Sequence, residues 1–321
     1  MWSIETDQTF PLSAVKPFDG LAGYRQHCLD ETRRALKDGG RRRERSPVTG
    51  SPLLPFGMIE GFEYLRCPDT GSFFLAELPL PPQWTRLLAE VSRYRHSRET
   101  FHAGIAQTRS EHVYTPKLDW IRSTLRMQHL ENPPVLDVVT PPSDIASRLE
   151  DAGIFSRVET IDEMALVMGE AESRSARFGA AILFESLDRV DDPEALLRAV
   201  VDRLAPGGLL FVTSLVCSGF DVAVLGLKNL YLYPPDRTNC FSLGGLERLL
   251  KASGLALLEV STPGVLDVEI IQTHLRRDPS LPLSTFERQL LEANLQTRES
   301  FQAFLQQHRM SSFARIIGRK A

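Results

Sequence analysis

Two acids stand where a nucleotide-type crevice would use them. Asp137 lies near the end of the apolar run Pro134-Val135-Leu136-Asp137-Val138-Val139, and Glu159 follows in Val158-Glu159-Thr160, with Asp162 as the second choice. In parallel α/β sheets an acid about 20 residues beyond the first strand holds ribose hydroxyls. A carboxylate suits that task because it accepts two charge-assisted hydrogen bonds. His102, His112 and Tyr114, in the segment before these acids, carry side chains able to move protons. The chain has no P-loop, no His-Glu-x-x-His, no Gly-x-Ser-x-Gly and no Cys-x-x-Cys pair. Its cysteines, Cys28, Cys67, Cys217 and Cys240, lie far apart and form no disulfide framework.

The elements that must position these groups centre on Arg177 to Ser214. Ala180 to Phe184 is a continuous apolar run, the pattern of a strand buried on both faces of a parallel sheet. Asp192-Pro193-Glu194 supplies a helix start, and Leu196, Leu197, Val200, Val201 and Leu204 form one stripe at helical spacing. Pro206-Gly207-Gly208 ends that helix and leads into a second buried strand, Leu209 to Thr213. Such a βαβ unit is connected right-handedly.

This stretch resembles the class I S-adenosylmethionine-dependent methyltransferases. The resemblance rests on Phe184-Glu185-Ser186-Leu187-Asp188-Arg189 through Ala205-Pro206-Gly207-Gly208, and on Pro234-Pro235-Asp236-Arg237-Thr238-Asn239-Cys240-Phe241-Ser242. It implies an α/β, Rossmann-like sheet of order 3-2-1-4-5-7-6, with Phe313 to Arg319 as the inserted antiparallel strand. It also implies S-adenosylmethionine as cofactor, resting against Asp137, Val139, Thr140, Ser143, Glu159, Phe184 and Glu185. The relatives' glycine loop after the first strand is here Thr140-Pro141-Pro142-Ser143, whose prolines fix φ and remove two N–H donors. The interval from Ile161 to Arg177 is short, so the sheet is expected to be trimmed at strands 2 and 3. Arg189 and Arg237 stand at positions where relatives carry histidine. With His112 and Tyr114 they are the catalytic candidates.

Ser46-Pro47-Val48-Thr49-Gly50 and Cys67-Pro68-Asp69-Thr70-Gly71 share one layout. They resemble the two Cys-Pro-x-Cys-Gly knuckles of the zinc ribbon that precedes the catalytic domain in a subset of the family. Only Cys67 remains of four thiols, and neutral hydroxyls are poor zinc ligands, so no zinc is expected. The expected division is an N-terminal region over 1–117 and a methyltransferase-fold domain over 118–321, with a helical insertion at about 266–309.

The 321 residues carry a net charge of -4, which argues against nucleic acid as main partner. No apolar run reaches the roughly 18 residues of a membrane span, and MWSIETDQTF lacks signal-peptide character. A cytoplasmic location follows as the expectation. Two functions stand open: methyl transfer to a small-molecule or glycan-related acceptor, and a non-catalytic binding or scaffolding role with a protein partner or a second copy. The short basic run Gly39 to Arg45 reads as a solvated loop, with a phosphate or anionic-glycan contact as the alternative.

Overall fold

The computed structural model describes residues 11–97, 104–169 and 177–321. Its main sheet is built from β6 (Pro134–Val138), β7 (Arg157–Ile161), β8 (Phe178–Phe184), β9 (Leu204–Leu215), β11 (Leu255–Ser261) and β12 (Phe313–Lys320), after five strands nearer the N-terminus. The spatial order is β7-β6-β8-β9-β12-β11. β7, β6, β8 and β9 run parallel, while β12 is antiparallel to both β9 and β11. This is the order 2-1-4-5-7-6 of a class I methyltransferase sheet. Among the described residues no strand lies outside β7, where the third would stand. After β7 the described residues before β8 include one short helix, Glu163–Met168, which Gly169 ends at φ 71°.

The βαβ unit forms as its residues require. The Asp192 carboxylate accepts the Ala195 N–H at 2.9 Å, and the Pro193–Arg203 helix buries Leu196, Leu197 and Val200 against the sheet. Pro206-Gly207-Gly208 behaves differently from expectation, since it lies inside β9. Phe178 opposes Leu204 and Ala180 opposes Leu209, so the intervening residues bulge out of the ladder. Gly207 takes φ 75°, and a Cβ on Gly208 would stand 2.9 Å from the Ala205 carbonyl oxygen. Glycine is required there by geometry.

The N-terminal strands β2 (Leu54–Ile59), β3 (Phe62–Arg66) and β4 (Phe73–Leu75) form a second sheet, completed by β10 (Asn239–Cys240) from far along the chain. The helices Phe18–Ala35 and Pro81–Arg95 pack on it through Cys28, Leu29, Trp84 and Leu88. The basic run is tied down: β1 (Arg41–Arg42) pairs with β5 (Glu77–Leu78), and Arg43 is buried on Asn239 Oδ1 and the Asp191 carbonyl, both at 2.7 Å. In the 266–309 interval the helices are Asp267–Arg277, Thr285–Glu292 and Leu295–Gln307.

The two knuckle turns have the same form. Gly50 N–H donates to Ser46 O and Gly71 N–H to Cys67 O, each at 2.9 Å, with φ 71° and 73° at the two glycines. They face each other, with Thr49 Oγ1 3.5 Å from Cys67 Sγ. Burial pushes the Cys67 thiol up, but hydrogen bonds from Ser46, Thr49 and Thr70 outweigh it and bring the thiol down to about 7. Four sulfurs around zinc at ~2.3 Å stand about 3.8 Å apart, close to the spacing found here. Replacing Ser46, Thr49 and Thr70 together by cysteine is therefore expected to give one zinc per chain by elemental analysis, against none for the parent. A triple variant that stays metal-free would show that the four positions do not converge.

Candidate functional site

Three adjoining cavities meet at Glu185, at the carboxyl ends of β6, β8 and β9. They measure about 170, 90 and 50 Å³, and Glu185 and Arg109 line all three. Glu185 is held at φ 60°, a left-handed conformation that a non-glycine residue adopts only at a cost of order 1–3 kcal/mol. Its N–H still donates to the Thr213 carbonyl at 2.8 Å, which fixes the side chain over the sheet edge.

Arg237 is the hub of this region. Its Nη2 donates to Glu185 Oε2 at 2.8 Å and its Nη1 to Asp188 Oδ2 at 2.9 Å, while its carbonyl accepts the Tyr64 hydroxyl at 2.8 Å. Asp188, fully buried, also takes the Leu215 N–H at 3.1 Å. Burial alone would raise the Glu185 carboxyl, but the Arg237 and Lys117 charges outweigh it and hold it well below the usual range. Burial would likewise lower Arg237, yet Glu185, Asp188 and Asp236 keep it above its ordinary value. The candidate that replaces histidine is thus a fully charged clamp.

Asp137, Val139, Ser143, Phe184 and Glu185 all line the smallest cavity, together with Tyr114 and Arg189. His112 and Arg237 line the largest, so the four catalytic candidates gather around one region. His102 lies outside the described residues. Asp137 accepts the Ser143 hydroxyl, and burial pushes its carboxyl up to about 6. Thr140 is turned aside, donating to Glu163 Oε2 at 2.7 Å. Glu159 is also apart from the group. It pairs with Arg157 on β7 at 3.5 Å and lines none of the three cavities. The acid at the very end of β7 is Asp162, whose Oδ1 accepts the N–H groups of Met164 and Ala165 at 2.9 and 3.1 Å.

Residues 67–260, more than half of the chain, match a family described as a methyltransferase domain. The chain belongs to the class I S-adenosylmethionine-dependent methyltransferase family. A ubiquinone biosynthesis O-methyltransferase of Xanthomonas axonopodis pv. citri (strain 306) is 30% identical over 111 residues, which cover 33% of this chain and 44% of that one. The match therefore spans less than half of that relative. Among solved structures, a 1,6-didemethyltoxoflavin-N1-methyltransferase from Burkholderia thailandensis, with bound 1,6-didemethyltoxoflavin and S-adenosylhomocysteine, superposes with a TM-score of 0.42. Identity is 14%, over 84% of this chain and 99% of the other. A possible histamine N-methyltransferase from Thermotoga maritima gives 0.35 at 14% identity, over 65% and 99%.

Methyltransferases of this family use S-adenosylmethionine, and its fit here follows from the crevice between β6 and β8. That cavity holds about 50 Å³, and the two that adjoin it bring the space around Glu185 only to the bottom of the ~300–1,000 Å³ range of small-molecule sites. Arg95, Arg109, Lys117 and Arg189 line the smallest cavity beside Asp137, Asp144 and Glu185, and these side chains crowd the space that a cofactor with a sulfonium, an ammonium and a carboxylate would need. Asp144 fills the loop side, where its oxygens meet Arg95 Nη2 at 3.1 Å and His96 Nε2 at 3.0 Å. Burial would raise Asp144, but Arg95 and His96 outweigh it and hold it well below the carboxylate range. As these side chains stand, the residues do not fit the cofactor. Among the described residues no helix is long and apolar enough to cross a membrane, and no cluster of His, Cys, Asp and Glu could hold a metal.

Lys117 and Arg315, which line the largest of the three cavities at Glu185, were not among the residues singled out from the sequence. Each had a local signal. Lys117 sits on the same stripe of the Thr115–Met127 helix as the buried Trp120, Ile121 and Thr124. Arg315 interrupts the apolar β12, flanked by Ala314 and Ile316. A charge on a buried face is the pattern that points to a site.

Proposed function

We propose that this methyltransferase-family chain binds a small organic molecule in the crevice around Glu185 and has given up the family's cofactor. The observation that carries this reading is the crevice between β6 and β8, reduced to about 50 Å³ and crowded by four cationic side chains and three carboxylates. The Arg237–Glu185–Asp188 cluster supports it, because it locks the strand ends with charges engaged by the chain itself. A calorimetric titration with 1 mM S-adenosylmethionine, and another with S-adenosylhomocysteine, is expected to give no binding heat. Micromolar affinity for either would overturn the reading.

A second reading has one observation in its favour. Five of the residues implied for the cofactor do converge on one cavity: Asp137, Val139, Ser143, Phe184 and Glu185. Under that reading the side chains rearrange, the cofactor enters, and a methyl group passes to a small acceptor, with the ubiquinone-pathway relative and glycan-related acceptors as guides. Cofactor binding that weakens at least about tenfold in Glu159→Ala, the loss of roughly 1.4 kcal/mol, would favour it.

A further inference from the structure

The largest of the three cavities at Glu185 is lined by two buried cations, Lys117 and Arg315, whose heads make no hydrogen bond or ion pair with the described residues. Lys117 is 5% exposed and Arg315 is 7% exposed, and both line it. Among the described residues neither side chain has a hydrogen-bond or ion-pair partner, and Arg315 Nε is buried without one. The nearest opposing charges are committed elsewhere. Glu185 is bonded to Arg237, and Glu259 accepts Trp120 Nε1 at 3.0 Å and the Ser261 hydroxyl at 2.6 Å. Burial lowers Lys117 to about 8 and Arg315 to about 10. Buried cations without partners cost several kcal/mol each, and interiors rarely keep them.

Aromatic faces hold both heads in place. The Lys117 ammonium lies 4.5 Å from the Phe184 ring centroid and 5.7 Å from that of Phe313, and the Arg315 guanidinium lies 5.4 Å from that of Trp120. The rest of the wall is largely apolar: Val15, Val113, Pro116, Leu266 and Ile270 contribute to it. We propose that this cavity binds a molecule made of an apolar body and one carboxylate, which Lys117 and Arg315 hold. A guanidinium offers paired donors matched to a planar carboxylate, and an ammonium supplies a second point of charge. Lys16, Arg109 and Arg237 line the cavity as well, against Glu185 and Asp267, so the wall carries an excess of positive charge that favours an anion, and the flat guanidinium fork of Arg315 favours a planar carboxylate. The volume of about 170 Å³ amounts to roughly six waters at ~30 Å³ each, the scale of benzoate or hexanoate.

This inference rests on the reading of the crevice as a small-molecule site, and not on whether a methyl group is transferred. The test is calorimetry of the full chain with benzoate and hexanoate, beside benzamide, hexanamide and phenyl phosphate. Submillimolar binding of a carboxylate, at least about tenfold weaker for its amide, is expected. Lys117→Met and Arg315→Met should each weaken the carboxylate at least tenfold and leave the amide little changed. Removing an unmatched buried cation is expected to leave the melting temperature unchanged or raised, so that lost binding is not lost folding. No carboxylate binding at 10 mM, an amide that binds equally, or phenyl phosphate binding more tightly would each overturn the proposal. Cofactor binding together with carboxylate binding would remove only the loss of the cofactor, and leave this site standing.

Discussion

A chain ending at Ser311 is expected to give no soluble folded protein. The ten residues removed include all of β12, which lies between β9 and β11 instead of at an edge. Its ladder on one side runs from Phe313 opposite Leu215 to Arg319 opposite Leu209, and on the other from Arg315 opposite Ser261 to Lys320 opposite Leu255. Deletion would strip both neighbours of their backbone partners and leave β11 with no strand to join. Ala314 and Ile316 are fully buried and Ile317 nearly so, and each buried isoleucine contributes ~1.5–3 kcal/mol. The side chains alone approach the lower end of a typical total stability of ~5–15 kcal/mol, and the lost ladders exceed the rest. Expression of the truncated chain, followed by circular dichroism and a thermal melt, is the measurement. An unchanged melting temperature would mean that β12 is not internal.

Arg237→Met is expected to destabilise the protein by ~3–5 kcal/mol at pH 7.5, the usual cost of removing one partner from a buried ionic cluster. It would leave Glu185 and Asp188 close together with no guanidinium between them. The pH dependence follows from Glu185 and from Asp188, whose carboxyl burial pushes up to about 7 even beside Arg237. In the parent the Glu185 carboxyl is held well below the usual range, so its pairing adds stability above the unfolded value near 4.5, lost as pH falls through the folded one. Without Arg237 burial prevails and the carboxyl rises above the unfolded value. The variant then carries a penalty at pH 7.5 that shrinks as pH falls toward 5 and the group protonates. Urea unfolding at pH 7.5 and pH 5.5 should show a larger deficit at the higher pH. Glu185→Gln in the Arg237→Met background should recover part of it. An equal deficit at both pH values would mean that the charges at Glu185 and Asp188 do not matter.

The sequence by itself determined the elements whose signals are local. Asp192-Pro193 opens a helix because a carboxylate and a missing N–H both suit a helix start, and that reading needs no partner elsewhere. The knuckle turns at Ser46–Gly50 and Cys67–Gly71 are equally local, each closed by its own glycine. The last strand was legible from its apolar run and from the family resemblance, which also fixed its place in the sheet. The internal bulge at Pro206-Gly207-Gly208 was not, because a Pro-Gly-Gly turn reads as a stop until the register of the neighbouring strand is known.

What the tertiary structure alone decided is the content of the crevice. Asp137, Ser143 and Glu185 were legible as residues near strand ends, but their neighbours come from distant segments. Arg95 reaches Asp144, Arg237 reaches Glu185, and Arg315 from the last strand shares a cavity with Lys117. Glu159 was chosen by its distance along the chain, whereas the pleat of β7 leaves it beside Arg157, away from the cavities. Local pattern reports whether a side chain is buried. It carries no record of which charge faces it across the fold, and that pairing sets whether a buried charge is a clamp, as at Arg237, or is left for a ligand, as at Lys117 and Arg315.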